Sequence, residues 1–96
     1  MPENDEAWQD EASGIMPKVT FTTFTMSLAS SALVHLGEVP DPDKGQTGVN
    51  LLMAKHTIDI LTMLEDKTRD NLDEAEERLI KALLYELRMK YVLKAK

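Results

Sequence analysis

The chain has 96 residues, a net charge of −6 and no cysteine. A chain of this length forms one small domain, and the lack of cysteine excludes disulfides, cysteine–zinc sites and thiol nucleophiles. Residues 1–14 carry five acidic residues and no basic one, so the rest of the chain is close to neutral. It therefore lacks the basic surface that binding to nucleic acid requires.

The N-terminal segment, residues 1–17, combines acidic residues with two prolines and few apolar side chains. Such a composition buries too little apolar surface to offset the entropy of ordering, so we predict a disordered acidic tail. Trp8 is the only tryptophan, and it is interpreted either as a solvated tail residue or as the anchor of a short binding segment. The segment lacks the basic and then apolar pattern of a signal peptide, so we expect a cytoplasmic protein.

The first helix is predicted over about residues 20–36, with Gly37 as its left-handed C-terminal residue. Residues 19–36 contain no Asp, Glu, Lys or Arg, in a chain of which 29% is charged. Because a helix without a charged face needs cover on most sides, we expect the other segments to pack around it. Seven Ser and Thr residues together with His35 make the run too polar for a membrane span, so no membrane partner is predicted.

One side of this helix carries small side chains, most of them with a hydroxyl group. A second backbone can approach such a surface closely, and the hydroxyls can return hydrogen bonds to carbonyls of their own helix. We call this surface the hydroxyl strip, and it consists of Thr23, Ser27, Ser30, Ser31 and Val34.

A loop over residues 37–49 follows, with two prolines and three glycines. It is longer than the roughly 2–8 residues that usually join two helices, so it either folds over the bundle or serves a function. Asp41, Asp43 and Gly45 match a calcium-binding loop only in part. The glycine stands fifth instead of sixth and no acid occupies the twelfth position, so calcium binding is not predicted.

The second helix is predicted over about residues 50–67, with Asn50 as its N-cap. Leu52 and Met63 are two apolar residues on its otherwise polar side, which is more than a solvated face needs.

The third helix is predicted over about residues 73–93, where Asp73 and Glu76 have the spacing of a capping box. Acidic residues fill its first turn and basic residues its last, as the helix dipole favours. A second apolar stripe, separate from the core side, consists of Tyr85, Met89 and Val92. Three i,i+4 ion pairs are expected, namely Glu74–Arg78, Glu77–Lys81 and Glu86–Lys90.

Residues 18–96 are therefore predicted to form a small all-α, three-helix domain. We expect the first two helices to be antiparallel and the third to pack across them.

A set of short segments between residues 21 and 92 carries a family resemblance. The segments are Ser27-Leu28-Ala29, residues 31–38 (SALVHLGE), Pro40-Asp41-Pro42, Asn50-Leu51, Ala54-Lys55, residues 57–61 (TIDIL), Lys67-Thr68, Asn71-Leu72, Glu86-Leu87-Arg88 and Tyr91-Val92. As a set they resemble a bacterial family catalogued as domain of unknown function 1844. Similar proteins tend to have Gly before the Asn-Leu pair, where this chain has Asp70. The resemblance implies a small soluble bacterial protein and brings no activity with it.

Two classes of function remain open from the sequence. A small enzyme or metal-binding protein is one, because histidines and carboxylates occur at the end of the first helix, in the loop and on the second helix. Its candidate residues are His35, Glu38, Asp41, His56 and Asp59. No catalytic or metal-binding motif fixes their geometry, so we predict no catalytic residue, metal or cofactor.

The other class is a non-catalytic helical interaction or assembly module, and this is the class that we predict. Single exposed apolar residues need no explanation, whereas three grouped surfaces on one small domain do. We expect a homo-oligomer, preferably a dimer, or a complex with another protein. The predicted contact residues are Thr23, Ser27, Ser30, Ser31, Val34, Leu52, Met63, Tyr85, Met89 and Val92.

Overall fold

The computed structural model describes residues 17–96, so the predicted disorder of residues 1–16 and both interpretations of Trp8 lie outside it. Three helices follow one another in the described chain: α1 (Phe21–His35), α2 (Leu51–Lys67) and α3 (Glu74–Ala95). Each helix contacts the other two. Apart from one isolated bridge, residues 17–96 contain no β-structure, which confirms the all-α three-helix class.

The first helix begins and ends close to its predicted positions. Thr20 is its N-cap, and its hydroxyl accepts a hydrogen bond from the backbone N–H of Thr23 at 3.0 Å. The Thr23 hydroxyl in turn accepts from the backbone N–H of Thr20 at 2.9 Å, which completes a capping box built from two threonines. Gly37 follows the helix with φ of +76°, as predicted.

The caps of the other two helices are also those predicted. The side chain of Asn50 accepts a hydrogen bond from the N–H of Met53 at 3.1 Å. Asp73 and Glu76 bond reciprocally at 2.8 and 3.0 Å. α3 continues to Ala95, slightly past its predicted end. The three expected ion pairs of α3 are confirmed, with N–O distances of 3.1 Å (Arg78–Glu74), 2.8 Å (Lys81–Glu77) and 3.2 Å (Lys90–Glu86).

The core lies between the three helices and combines large aliphatic with small residues. Ala32 and Ala54 have no exposed surface, which indicates close approach of the helices at these positions. Two threonines are also buried, and the hydroxyls of Thr25 and Thr57 each donate to a backbone carbonyl of their own helix at 3.0 Å. The buried apolar residues are Ala29, Ala32, Leu36, Ala54, Ile58, Leu61, Ile80, Leu84 and Leu87.

The loop between α1 and α2 folds back on itself. Its ends meet, because Leu36 and Val49 form an isolated antiparallel bridge and the N–H of Asn50 donates to the carbonyl of His35 at 2.7 Å. In its middle, the Asp41 carboxylate accepts hydrogen bonds from the backbone N–H groups of Asp43 (2.8 Å) and Lys44 (3.3 Å). Asp41 thus stabilises a turn of the loop.

The loop is also tied to the last helix. Glu38 forms ion pairs with Lys90 at 3.3 Å and with Lys94 at 3.7 Å. These contacts join the segment after α1 to the C-terminal turns of α3. They also occupy two of the basic side chains at the end of α3.

The short turn between α2 and α3 contains Asp70 with φ of +65°. A non-glycine residue is uncommon in this left-handed region, although Asp tolerates it better than most. Glycine adopts this backbone conformation without a steric penalty.

Candidate interaction surfaces

The hydroxyl strip lies on the side of α1 that faces away from the core. Thr25, Ala29, Ala32 and Leu36 are buried at i, i+4, i+7 and i+11. In a helix with 3.6 residues per turn, the strip then falls on the opposite side. Its three serines are exposed, and Thr23 and Val34 are partly buried. The large side chains of Phe24 and Met26 beside the strip are about half exposed.

The loop builds one wall of a shallow groove along this strip. Asp41, Pro42 and Asp43 line the groove together with the strip residues, and its volume is about 570 Å³. Among residues 17–96, the only carboxylates on the lining are those of Asp41 and Asp43, and no Lys or Arg of this range contributes to it. The hydroxyl strip and its acidic wall form a concave surface, which we call the α1 groove.

The Tyr-Met-Val stripe, made of Tyr85, Met89 and Val92, projects from α3. These side chains are 70%, 50% and 55% exposed. The buried residues of the same helix, Ile80, Leu84 and Leu87, lie on its other side. Three large apolar side chains at i, i+4 and i+7 therefore form a continuous ridge along α3, and the same side chains line a shallow depression of about 350 Å³ beside α2.

Two basic side chains flank this stripe. Lys81 and Arg88 lie beside it, with Glu65 of α2 nearby. The guanidinium of Arg88 donates a hydrogen bond to the Thr62 hydroxyl at 2.9 Å. Lys81 donates a hydrogen bond to the Glu77 carboxylate at 2.8 Å, and this hydrogen bond and the charge of Glu77 raise the pKa of Lys81 above its ordinary value.

The third predicted surface, on α2, is less continuous. Leu52 is 81% exposed and Met63 is about half exposed. His56 and Asp59 lie between them on the same side of the helix. Asp59 pairs with Lys55 at 2.9 Å. The two apolar residues are therefore separated by polar side chains.

The candidate residues for chemistry are dispersed. Glu38 is paired with two lysines of α3, and Asp59 is paired with Lys55 rather than with His56. Within residues 17–96, no three His, Cys, Asp or Glu side chains come together in a group that a metal ion requires. The structure therefore does not bring His35, Glu38 and His56 together as a metal site.

Sequence reasoning missed the loop wall of the α1 groove. Asp41 and Asp43 are far along the chain from the middle of α1, and only the path of the folded loop places them beside the strip. Lys81 lies four residues before Tyr85 and Arg88 lies three residues after it, so helical periodicity alone predicts that both flank the stripe.

Comparison with known proteins identifies a family. The family model described as "Domain of unknown function (DUF1844)" matches residues 18–93, which include α1, α2 and almost all of α3. The chain belongs to the DUF1844 family. This confirms the resemblance seen in the sequence, and the family description assigns no activity. No curated protein and no solved structure matches the chain. None of the helices described between residues 17 and 96 is long and apolar enough for a membrane crossing.

Proposed function

We propose that this DUF1844 protein is a non-catalytic helical interaction module that associates with a second copy of itself through the hydroxyl strip of α1. The observation that carries the proposal is an uncharged helix whose outer side is open to solvent. α1 has no Asp, Glu, Lys or Arg, whereas the exposed sides of α2 and α3 carry several. The exposed serines and the half-exposed Phe24 and Met26 form that outer side.

The side chains of the strip suit close contact with another helix. Serine is small, so two backbones can approach at this surface without large side chains being displaced. Its hydroxyl can bond to a carbonyl of its own helix when water is removed, as Thr25 and Thr57 already do in the core. Burial of the strip therefore leaves few polar groups unsatisfied.

A second copy of the chain is the partner that we favour. Closed two-fold symmetry is the commonest arrangement of soluble homo-oligomers. A domain of this size buries a modest share of its own surface, so it gains stability from burial between subunits. A complex with a different protein is the other outcome that the experiment below distinguishes.

The test is static light scattering over a concentration series on the unmodified chain and on Ser27→Glu and Ser30→Glu. A buried carboxylate without a partner costs several kcal/mol, so each substitution is expected to reduce the dimer to single chains. Lys67→Glu, an exposed position at the end of α2, is the matched control and should associate as the unmodified chain does.

Self-association is refuted if the unmodified protein has the mass of a single chain at every concentration and both serine variants have that same mass. In that case a stable complex captured with another protein, and lost in Ser30→Glu, identifies the strip as a surface for a different partner.

A further inference from the structure

Building on the proposed self-association, we propose that the Tyr-Met-Val stripe of α3 docks into the α1 groove of the second copy. Each subunit then inserts its Tyr-Met-Val stripe into the α1 groove of its partner and receives the partner's stripe in its own groove. The residues that meet are Tyr85, Met89 and Val92 of one copy and the hydroxyl strip, with its loop wall, of the other.

The two surfaces are complementary in size. The stripe presents three large apolar side chains, each at least half exposed. The strip presents small side chains at the base of a groove of about 570 Å³. Large side chains packed against small ones interdigitate, whereas two ridges or two grooves placed together leave gaps between the helices.

The spacing of the two surfaces also matches. Tyr85, Met89 and Val92 are separated by four and three residues. Thr23, Ser27, Ser30 and Val34 are separated by four, three and four. This alternation is the one by which side chains of one helix fit between those of another in coiled-coil packing.

The charges beside the two surfaces decide between the possible pairings. Among residues 17–96, the lining of the α1 groove has the carboxylates of Asp41 and Asp43 and no Lys or Arg. The stripe has Lys81, Arg88 and Glu65 beside it; Lys81 is paired with Glu77 at 2.8 Å, whereas Arg88 donates to the Thr62 hydroxyl. Groove against groove brings Asp41 and Asp43 near their own copies, and stripe against stripe brings Arg88 near its own copy. Groove against stripe brings opposite charges together, which favours this pairing over the other two.

A dimer built in this way can remain two-fold symmetric. In a two-fold interface, residue i of one copy contacts residue j of the other, and j contacts i. The α1–α3 contact therefore occurs twice in each dimer, and a substitution on either surface alters both contacts.

This duplication allows a complementation experiment with charges. Ser30→Arg places a positive charge opposite Lys81 and Arg88, and Met89→Glu places a negative charge opposite Asp41 and Asp43. Each variant alone is expected to associate at least about tenfold more weakly, because like charges meet in both contacts. In an equimolar mixture, one contact of each mixed dimer is unaltered, and the introduced arginine faces the introduced glutamate in the other.

The measurement is sedimentation velocity at one fixed concentration for each variant and for the mixture. We expect single chains for each variant alone and a dimer for the mixture. Leu52→Glu is the matched control, an apolar-to-acidic change outside both surfaces, and it should dimerise like the unmodified chain. Circular dichroism establishes that each variant is folded. If Ser30→Arg fails to fold, Ser27→Arg replaces it. If Met89→Glu fails to fold, Tyr85→Glu replaces it. The expected outcomes are the same.

The possible failures are distinguishable. A Met89→Glu chain that dimerises normally, alongside a monomeric Ser30→Arg chain, overturns the docking of the stripe and leaves the proposed function standing. A mixture that stays monomeric, or a Leu52→Glu chain that does not dimerise, also overturns the pairing of these two surfaces. An unmodified chain that never dimerises refutes the proposed function itself.

Discussion

At the scale of single residues, the turns of this protein depend on backbone conformations that most amino acids avoid. Gly37, Gly45 and Asp70 all have positive φ. Glycine adopts this region without a steric penalty, whereas other L-residues adopt it at a cost. Two of the three positions therefore hold the best residue for their conformation, and the third does not.

Gly37→Ala is expected to lower the free energy of unfolding by about 1–2 kcal/mol. Its φ is unfavourable for alanine, and an added Cβ would lie 2.9 Å from Cγ2 of Val49, so that side chain must shift. Urea unfolding measures the effect. Two further glycines separate the effect of the backbone conformation from the effect of the contact with Val49. Gly45 has a positive φ, but a Cβ added there has no atom of the described residues within 4 Å beyond its neighbours in the chain. Gly48 has no positive φ, and a Cβ added there also has no such atom within 4 Å.

The expected order of destabilisation is therefore Gly37→Ala, then Gly45→Ala, with Gly48→Ala within about 0.5 kcal/mol of the unmodified chain. Equal effects at Gly37 and Gly48 would show that neither the backbone conformation nor the contact with Val49 matters at the end of α1.

Asp70→Gly is expected to raise the free energy of unfolding, by up to about 1 kcal/mol. Glycine removes the penalty at φ of +65°, and the greater freedom of the unfolded chain offsets part of the gain. The midpoint of urea unfolding should rise for Asp70→Gly and fall for Asp70→Ala, because alanine keeps a Cβ and tolerates a positive φ less well than Asp. A lower midpoint for Asp70→Gly contradicts this account of the turn.

At the scale of the helices, the contact between Glu38 and the end of α3 holds the long loop in place. The ammonium of Lys90 donates hydrogen bonds to the carboxylates of Glu86 (3.2 Å) and Glu38 (3.3 Å), and both raise the pKa of this lysine above its ordinary value of 10.5. A pKa that is raised in the folded state stabilises the fold below pH 10.5. That stabilisation is lost as the pH rises through the folded-state pKa.

The substitution Glu38→Gln tests this contact through its pH dependence. It should reduce stability at neutral pH, and the difference from the unmodified chain should shrink as the pH rises above 10.5. Urea unfolding at several pH values from about 8 to about 12 measures this difference, because lysine titrates in that range.

Glu74→Gln is the control for this experiment. Among residues 17–96, Glu74 pairs with Arg78 and with no lysine, and arginine side chains do not deprotonate in proteins, so the small effect of this substitution should not depend on pH. A difference between Glu38→Gln and the unmodified chain that stays constant across the range would contradict the role assigned to Lys90.

The local features of the helices could be predicted from the sequence, because they depend on residues close together in the chain. The caps Asn50 and Asp73, the left-handed Gly37 and the ion pairs of α3 each involve residues within four positions of one another. The capping box of Thr20 and Thr23 was not predicted, because the residue three positions after the N-cap is usually Glu or Gln in this motif.

Contacts between distant segments could not be predicted in this way. The pairing of Glu38 with Lys90, and the placement of Asp41 and Asp43 beside α1, depend on the path of a loop. The number of prolines and glycines in a loop does not determine which path the loop follows. The exposure of the hydroxyl strip and of the Tyr-Met-Val stripe did follow from helical periodicity once the core side of each helix was assigned.

At the scale of the whole molecule, the proposed self-association accounts for two features of the surface together. An uncharged helix faces solvent on its outer side, and an apolar ridge projects from another helix. The groove along α1 spans about three helical turns, and the ridge on α3 spans about two. A dimer that buries the ridge in the groove removes both from water and brings the acids of the loop near Arg88 beside the ridge.

Sedimentation equilibrium of the unmodified chain, over concentrations from about 1 μM to about 1 mM, tests the central claim most directly. A single chain has a mass of 10.8 kDa. We predict that the weight-average mass rises with concentration to about twice that value and then stays constant, as a closed dimer requires. A mass of 10.8 kDa at every concentration would contradict self-association.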